Sequence, residues 1–160
     1  MNAAVLTVSD RVSRGEAEDR SGPAAAEMLT ELKFLVIEIR VVADGIDSVS
    51  AALEDLMPAA SLIVTTGGTG FSQRDVTPEA TARLIERPAP GLAEAMRAAA
   101  YGVNPHAMLS RGMAGIAGAT LIVNLPGSER AVRESLAVIA PALRHAVELL
   151  VTADSDHNAG

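Results

Sequence analysis

Gly67, Gly68 and Gly70 stand directly behind a short apolar run, residues 62–64, that closes in Thr65 and Thr66. Arg74, Asp75, Thr77 and Pro78 follow. Glycine has no Cβ, so a ligand can come close to the backbone N–H groups of such a loop. Successive N–H groups and a helix N-terminus together favour an anion. Thr77 suits an N-cap and Pro78 the first helical position, so residues 62–79 read as strand, glycine loop and helix. The chemistry this arrangement could do is phosphate binding. Gly67, Gly68, Thr69 and Gly70 would form the cradle, with Arg74 as a clamp and Asp75 as a metal ligand. Two common nucleotide motifs are excluded. No Gly-Lys-Ser/Thr follows the loop, and Gln73 stands where a third Rossmann glycine would fall. Most glycine clusters are ordinary turns, so the loop alone does not settle the matter.

Other chemistries are narrowed by composition. There is no cysteine, which removes disulfides, thiolate metal ligands and a thiol nucleophile. His106, His145 and His157 are far apart and lack helical metal-ligand spacing. Carboxylates remain. Asp44 directly follows a β-branched run, and Asp75 follows the glycine loop. Each alone is an ordinary turn residue. Brought together at two strand ends, they could hold one Mg²⁺ through oxygen ligands and shared phosphates. The net charge of −7 opposes nucleic acid and anionic membranes as partners, but a small phosphorylated ligand responds to local donors. Of the 13 basic residues only Lys33 is lysine. Compositional bias accounts for the total, and bidentate phosphate recognition by arginine for a few positions.

The elements that must position these residues follow from periodicity. The chain has 160 residues, 49% of them hydrophobic, which suits one domain with a real core. Residues 3–8, 34–42, 62–66 and 120–125 read as strands. Helical stripes cover 23–32, 46–57, 77–86, 92–101 and 132–150, with Pro141 as a break or kink. Residues 10–20 read as a loop, 87–91 as a rigid break and 102–105 as a loop; 108–115 fit neither period. Strand and helix alternate, which implies an α/β fold in three layers: a mostly parallel sheet with helices on both faces. Loops 9–21, 43–47, 66–77 and 126–128 then open on one edge of that sheet, where ligands bind in such folds. The domain is expected to span 1–152, with a flexible tail at 153–160. No apolar run is read as long enough to span a bilayer, and the amino terminus carries no cleavage signal. A cytoplasmic protein is the expectation.

The longer string Thr-Thr-Gly-Gly-Thr-Gly, three residues, then Arg-Asp-Val-Thr-Pro-Glu resembles the signature of the molybdopterin adenylyltransferase family. That group includes the Mog-type proteins and the gephyrin G domains. The resemblance extends to Ser9-Asp10-Arg11, residues 18–23, Pro90-Gly91, Leu109-Ser110-Arg111 and Asn124-Leu125-Pro126-Gly127. It implies MgATP-dependent adenylylation of molybdopterin with release of pyrophosphate, so Mg²⁺, ATP and molybdopterin are the implied cofactor and substrates. Asp44 and Asp75 match the family's two essential aspartates, which implies that they are catalytic and bind the metal. Ser110 and Arg111 would border the pterin and phosphate side, Glu94 would contact the pterin, and Pro126, Gly127 and Ser128 would face adenine or the α-phosphate. Asp10 and Ser21 would brace the first loop. One departure is Gly45, where the family often has an acid. The resemblance also implies a homotrimer and a downstream molybdate-insertion protein as partner. Two other readings stand beside catalysis: a paralogue that binds pterin or nucleotide without turnover, and a structural oligomerisation domain.

Overall fold

In the computed structural model, which describes residues 1–157, one six-stranded sheet has the order β2-β1-β3-β6-β5-β4. The strands are β1 (Asn2–Val8), β2 (Leu35–Val42), β3 (Leu62–Thr66), β4 (Arg87–Pro88), β5 (Ala114–Ala117) and β6 (Thr120–Leu125). β2, β1, β3 and β6 run parallel, and β5 and β4 add on antiparallel. The expected mostly parallel sheet is present. The helices are α1 (Asp10–Ser13), α2 (Ser21–Glu31), α3 (Ile46–Leu56), α4 (Thr77–Ala82), α5 (Pro90–Tyr101) and α6 (Glu129–His157), with a 3-10 turn at Pro105–Leu109.

The central strands are buried on both faces, which is why their sequences are continuous apolar runs. Side chains alternate across a strand, so each strand feeds two cores. Ala3, Val5, Leu62, Val64, Leu121 and Val123 meet α2, α5 and α6 on one face. Ala4, Leu6, Ile63 and Ile122 meet α3 and α4 on the other. This three-layer packing points the carboxyl ends of β1, β2, β3 and β6 to one edge.

Several local expectations are corrected. Residues 10–20 are not all loop, because Ser9 Oγ accepts from the Val12 N–H at 3.2 Å and starts the one-turn α1. Thr77 is the first residue inside α4 rather than its cap, and its hydroxyl serves the glycine loop instead. α4 ends at Ala82, short of residue 86. The break at 87–91 contains β4, which pairs with β5, and α5 already begins at Pro90. The ambiguous stretch 108–115 splits into the end of the 3-10 turn and the start of β5. α6 is one helix through Pro141 and runs to His157; residues 158–160, the end of the expected 153–160 tail, lie outside the described residues.

By length and composition Glu129–Thr152 is apolar enough to cross a membrane, contrary to the reading that no such run exists. Its apolar stripe is spent elsewhere. Val132, Leu136, Leu143 and Val147 are fully buried against the sheet and α2. Removing that packing tests the two-sided core. Leu136→Ala on one face and Leu53→Ala on the other should each lower unfolding free energy by about 2–5 kcal/mol in urea titrations. A wild-type midpoint for either would contradict the packing.

Candidate functional site

The glycine loop is held by its carbonyls. Thr77 Oγ1 donates to the Gly67 carbonyl at 3.0 Å, and the Thr77 N–H donates to the Gly68 carbonyl at 3.0 Å. The Arg111 N–H donates to the Thr69 carbonyl and Arg111 Nε to the Gly70 carbonyl, both at 2.8 Å. On the donor side, the Gly67 N–H is committed to the Leu125 carbonyl at 3.2 Å. Among the described residues, the N–H groups of Gly68, Thr69 and Gly70 have no acceptor in the chain. All four loop carbonyls are thus satisfied internally while three consecutive donors are left over, which is the composition of an anion nest. Two positions require glycine. At Gly67 (φ 89°) a Cβ would lie 2.4 Å from the Val8 carbonyl oxygen, and at Gly68 (φ 66°) it would lie 2.2 Å from Thr77 Oγ1.

Two cavities flank this loop. One, of ≈ 640 Å³, is lined by residues from all four expected loops, including Ser21, Asp44, Gly67, Gly68, Asp75 and Ser128. The other, of ≈ 560 Å³, has Thr69, Gly70, Ser110, Gly112, Asn124 and Pro126 among its walls. Gly127 and Ser128 belong to both. The partition between them is thin. A Cβ on Gly127 would lie 3.2 Å from Gly67 Cα, so two backbones pack directly where the cavities meet.

Asp44 and Asp75 come together in the first cavity. Each abuts one glycine: a Cβ at Gly68 would lie 3.2 Å from Asp44 Oδ1, and one at Gly70 would lie 2.9 Å from Asp75 Oδ2. Asp75 Oδ2 accepts from the Ser72 N–H at 2.9 Å. Asp44 Oδ2 accepts from the Asp10 N–H at 2.8 Å, and the Asp44 N–H donates to Asp10 Oδ1 at 3.1 Å. Burial pushes the Asp44 carboxyl above its ordinary pKa, and the nearby charges of Asp10 and Asp75 push the same way. Asp10 is held below the ordinary value by the Arg74 guanidinium.

The arginines sit differently from the phosphate-clamp expectation. Arg74 grips Asp10 with Nε and Nη2, both at 2.9 Å, and Nη2 also reaches the Asp44 carbonyl at 2.5 Å. It ties three loops together. Arg111 does not line the second cavity; its guanidinium binds Glu79 and the carbonyls of Gly70 and Asp75. Its pairing holds Glu79 below the ordinary carboxylate pKa. Glu94 is exposed on α5 and lines neither of these two cavities. Ser110 does line the second cavity, and Ser21 Oγ lies 2.8 Å from Thr66 Oγ1 in the first.

Three residues were given no individual role from the sequence, although Asp19 and Asn124 stand within motifs that carry the resemblance. Asp19 accepts from the Thr7 hydroxyl at 2.7 Å and the Gly22 N–H at 2.9 Å, and it lines the first cavity. Asn124 donates to Thr65 and Thr81 hydroxyls across the sheet, at 3.0 and 2.9 Å. A polar residue inside an apolar strand was the available signal for Asn124. Arg97 reaches the second cavity from α5. Its position on a helix between apolar residues gave no comparable signal.

Comparison with known proteins adds a second line of observation. Residues 4–145 match the family described as probable molybdopterin binding domain. The molybdopterin adenylyltransferase of Helicobacter pylori strain J99 is 42% identical over 151 residues, which cover 92% of this chain and 86% of that protein. Gephyrin of Dictyostelium discoideum is 44% identical over 157 residues; there 91% of this chain spans only 22% of the relative's length. Among solved structures, the molybdopterin biosynthesis enzyme MoaB from Thermus thermophilus has a TM-score of 0.88 at 44% identity, covering 93% of this chain and 95% of that one.

The Arg111 brace yields a stability test. Arg111→Ala leaves two carbonyls and Glu79 without their charged donor, so unfolding free energy should fall by about 1–2 kcal/mol, allowing for partial exposure. Because the Glu79 pKa is depressed in the fold, this contribution is present above its unfolded value and is lost as pH falls through the folded one. The pH dependence should flatten in the variant. Unchanged melting at neutral pH would mean that the guanidinium does not hold the loop.

Proposed function

The chain belongs to the family of probable molybdopterin binding domains, and from that premise we propose that it is a molybdopterin adenylyltransferase of molybdenum cofactor biosynthesis, using MgATP. The observation that carries this reading is the nest of three unpaired N–H groups at Gly68, Thr69 and Gly70, set between two cavities. One ligand on each side of a shared donor loop is the arrangement that a transfer between two phosphates requires. ATP would occupy the cavity of Asp44 and Asp75, with Pro126, Gly127 and Ser128 beside its α-phosphate. Molybdopterin would occupy the cavity of Thr69 and Ser110, presenting its terminal phosphate to the α-phosphorus. That phosphate oxygen forms the new bond to phosphorus, and pyrophosphate leaves.

The chain's own part is positioning and charge neutralisation, which dominate catalysis of phosphoryl-type transfers. The free N–H groups hold phosphate oxygens without moving. The Asp10–Arg74 pair fixes the loops that carry Asp44 and Asp75. The donor set fits Mg²⁺. Among the described residues no group of three or more His, Cys, Asp or Glu forms a protein-only cage. Two carboxylates beside a phosphate site suit a hard cation that completes its shell with phosphate and water oxygens. When bound, Mg²⁺ would supply neutralisation of triphosphate charge, with Asp44 and Asp75 as its protein ligands. It would also offset the burial cost of the charged Asp44 carboxylate, and its repulsion by Asp10 and Asp75, which together raise the Asp44 pKa.

The assembly proposed is a homotrimer in the cytoplasm, passing product to a molybdate-insertion protein. The binding-only paralogue remains distinguishable, because it would take up molybdopterin and release no pyrophosphate. The test is pyrophosphate release by the purified chain with MgATP and molybdopterin. Asp44→Asn and Asp75→Asn should each cost about 10²-fold or more in rate, by analogy with loss of a transition-state charge stabiliser. Neither variant should melt well below wild type, and molybdopterin titration should stay near wild type. Near-normal turnover in both variants would remove the metal assignment, and absence of turnover in the wild type would leave a binding protein.

A pH test follows from Asp44. Its carboxyl must be ionised to meet the cation, so the rate should fall as pH drops through its raised pKa. The unliganded chain should do the opposite. A carboxyl with a raised folded pKa contributes stability below its unfolded value and loses it as pH rises through the folded one. Asp44→Asn should abolish that stability change, as read by melting against pH.

A further inference from the structure

Arg97 projects from α5 into the cavity walled by Thr69, Ser110 and Gly112. One nitrogen, Nη1, donates to the Gly112 carbonyl at 2.7 Å and reaches the Ser110 carbonyl at 3.5 Å. Among the described residues it makes no ion pair, and its Nε and Nη2 have no acceptor in the chain. Three other arginines around the site are matched by carboxylates. Arg74 holds Asp10, Arg111 holds Glu79, and Arg130 holds Glu134 at 2.7 Å. Glu134 is the acid on this cavity wall, so its charge is already answered. Arg97 and His106 are the basic residues among those lining the cavity.

A guanidinium stays charged at any accessible pH and offers five donors in a fixed plane. Half-buried and satisfied only by carbonyls, its charge is partly desolvated with no counter-charge. In a chain of net charge −7, an unmatched, half-buried cation facing a cavity is a specific feature rather than background. The geometry points to Arg97 as the counter-ion for an anionic group of the ligand in this cavity. This rests on the reading of that ligand as molybdopterin, which carries two kinds of anion, a phosphate and a dithiolate. Arg97 is therefore a binding residue for the pterin substrate, while its Nη1 holds the 110–112 segment in place.

The experiment is a direct titration of molybdopterin, with MgATP titrated separately, into the wild type, Arg97→Lys and Arg97→Gln. Glutamine keeps a donor for the Gly112 carbonyl and loses the charge; lysine keeps the charge. Arg97→Gln should weaken molybdopterin binding about 10- to 100-fold, the range of a charge-assisted hydrogen bond, and flatten its salt dependence. Arg97→Lys should stay within a few-fold of wild type, and MgATP binding should not change in either. Repeating the titration with dephosphorylated molybdopterin separates the anions. A glutamine penalty that persists assigns Arg97 to the dithiolate, and one that vanishes assigns it to the phosphate. Equal affinities and equal salt slopes for the two variants would overturn the inference and leave Arg97 a brace for the loop. A wild type that binds no molybdopterin would instead overturn the proposed function, and this inference with it; normal wild-type binding with an unaffected glutamine variant would overturn this inference alone.

Discussion

Four carbonyls, those of residues 67–70, are the constraint on which the site depends. Each is bonded to a donor that comes from outside the loop: Thr77 for the first two and Arg111 for the next two. Such bonds settle which way each peptide plane faces. With the oxygens turned inward, the N–H groups of residues 68–70 are left for something else, and a buried or half-buried donor without an acceptor is costly to keep. The loop is therefore prepared for an anion before any anion arrives. That preparation is the structural form of electrostatic catalysis, because dipoles already aimed do not reorganise during reaction.

The same logic explains how an acidic chain handles acidic substrates. Most arginines near the loops are matched by carboxylates and act as ties: Arg74 joins the β1, β2 and β3 loops through Asp10 and the Asp44 carbonyl, and Arg111, in the segment before β5, joins it to the glycine loop and α4. Exposed ion pairs of this kind contribute little stability individually. Their effect is geometric, since each bonds backbone carbonyls as well as a side chain. The glycine loop itself presents only neutral backbone dipoles, the N–H groups of Gly68, Thr69 and Gly70, with the carboxylates of Asp44 and Asp75 beside them.

How much of this was legible depended on whether a partner lay close in sequence. Strands β1, β3 and β6 could be read because burial on both faces makes them uniformly apolar, and the shared edge of four loops followed from parallel connections. The pairing of Asp44 with Asp75 was readable from that topology together with family resemblance. The roles of Arg74 and Arg111 were not. Their acceptors, Asp10 and Glu79, are distant in sequence, and no spacing rule connects them. β4 and β5 were illegible for another reason. They are short, contain proline or glycine, and are held as strands by pairing with each other and with β6 rather than by their own propensity. Thr77 misled because a threonine before Pro-Glu is a good cap locally; the tertiary demand of the Gly67 carbonyl overrode it.

The parallel pairing of β3 with β6 has a consequence for how the molecule comes into being. Leu62 lies opposite Leu121, so two neighbours at the centre of the sheet are separated by most of the middle of the chain. Contacts of that range form slowly, because loop closure must precede the reward. On the ribosome, the glycine loop emerges long before Arg111, Leu125 and Gly127, the residues that orient it and close its far wall. Until β6 docks, the nascent chain carries the recognition sequence without the recognition surface. The oriented loop is thus a property of the finished chain, present only in molecules that have completed their last parallel strand.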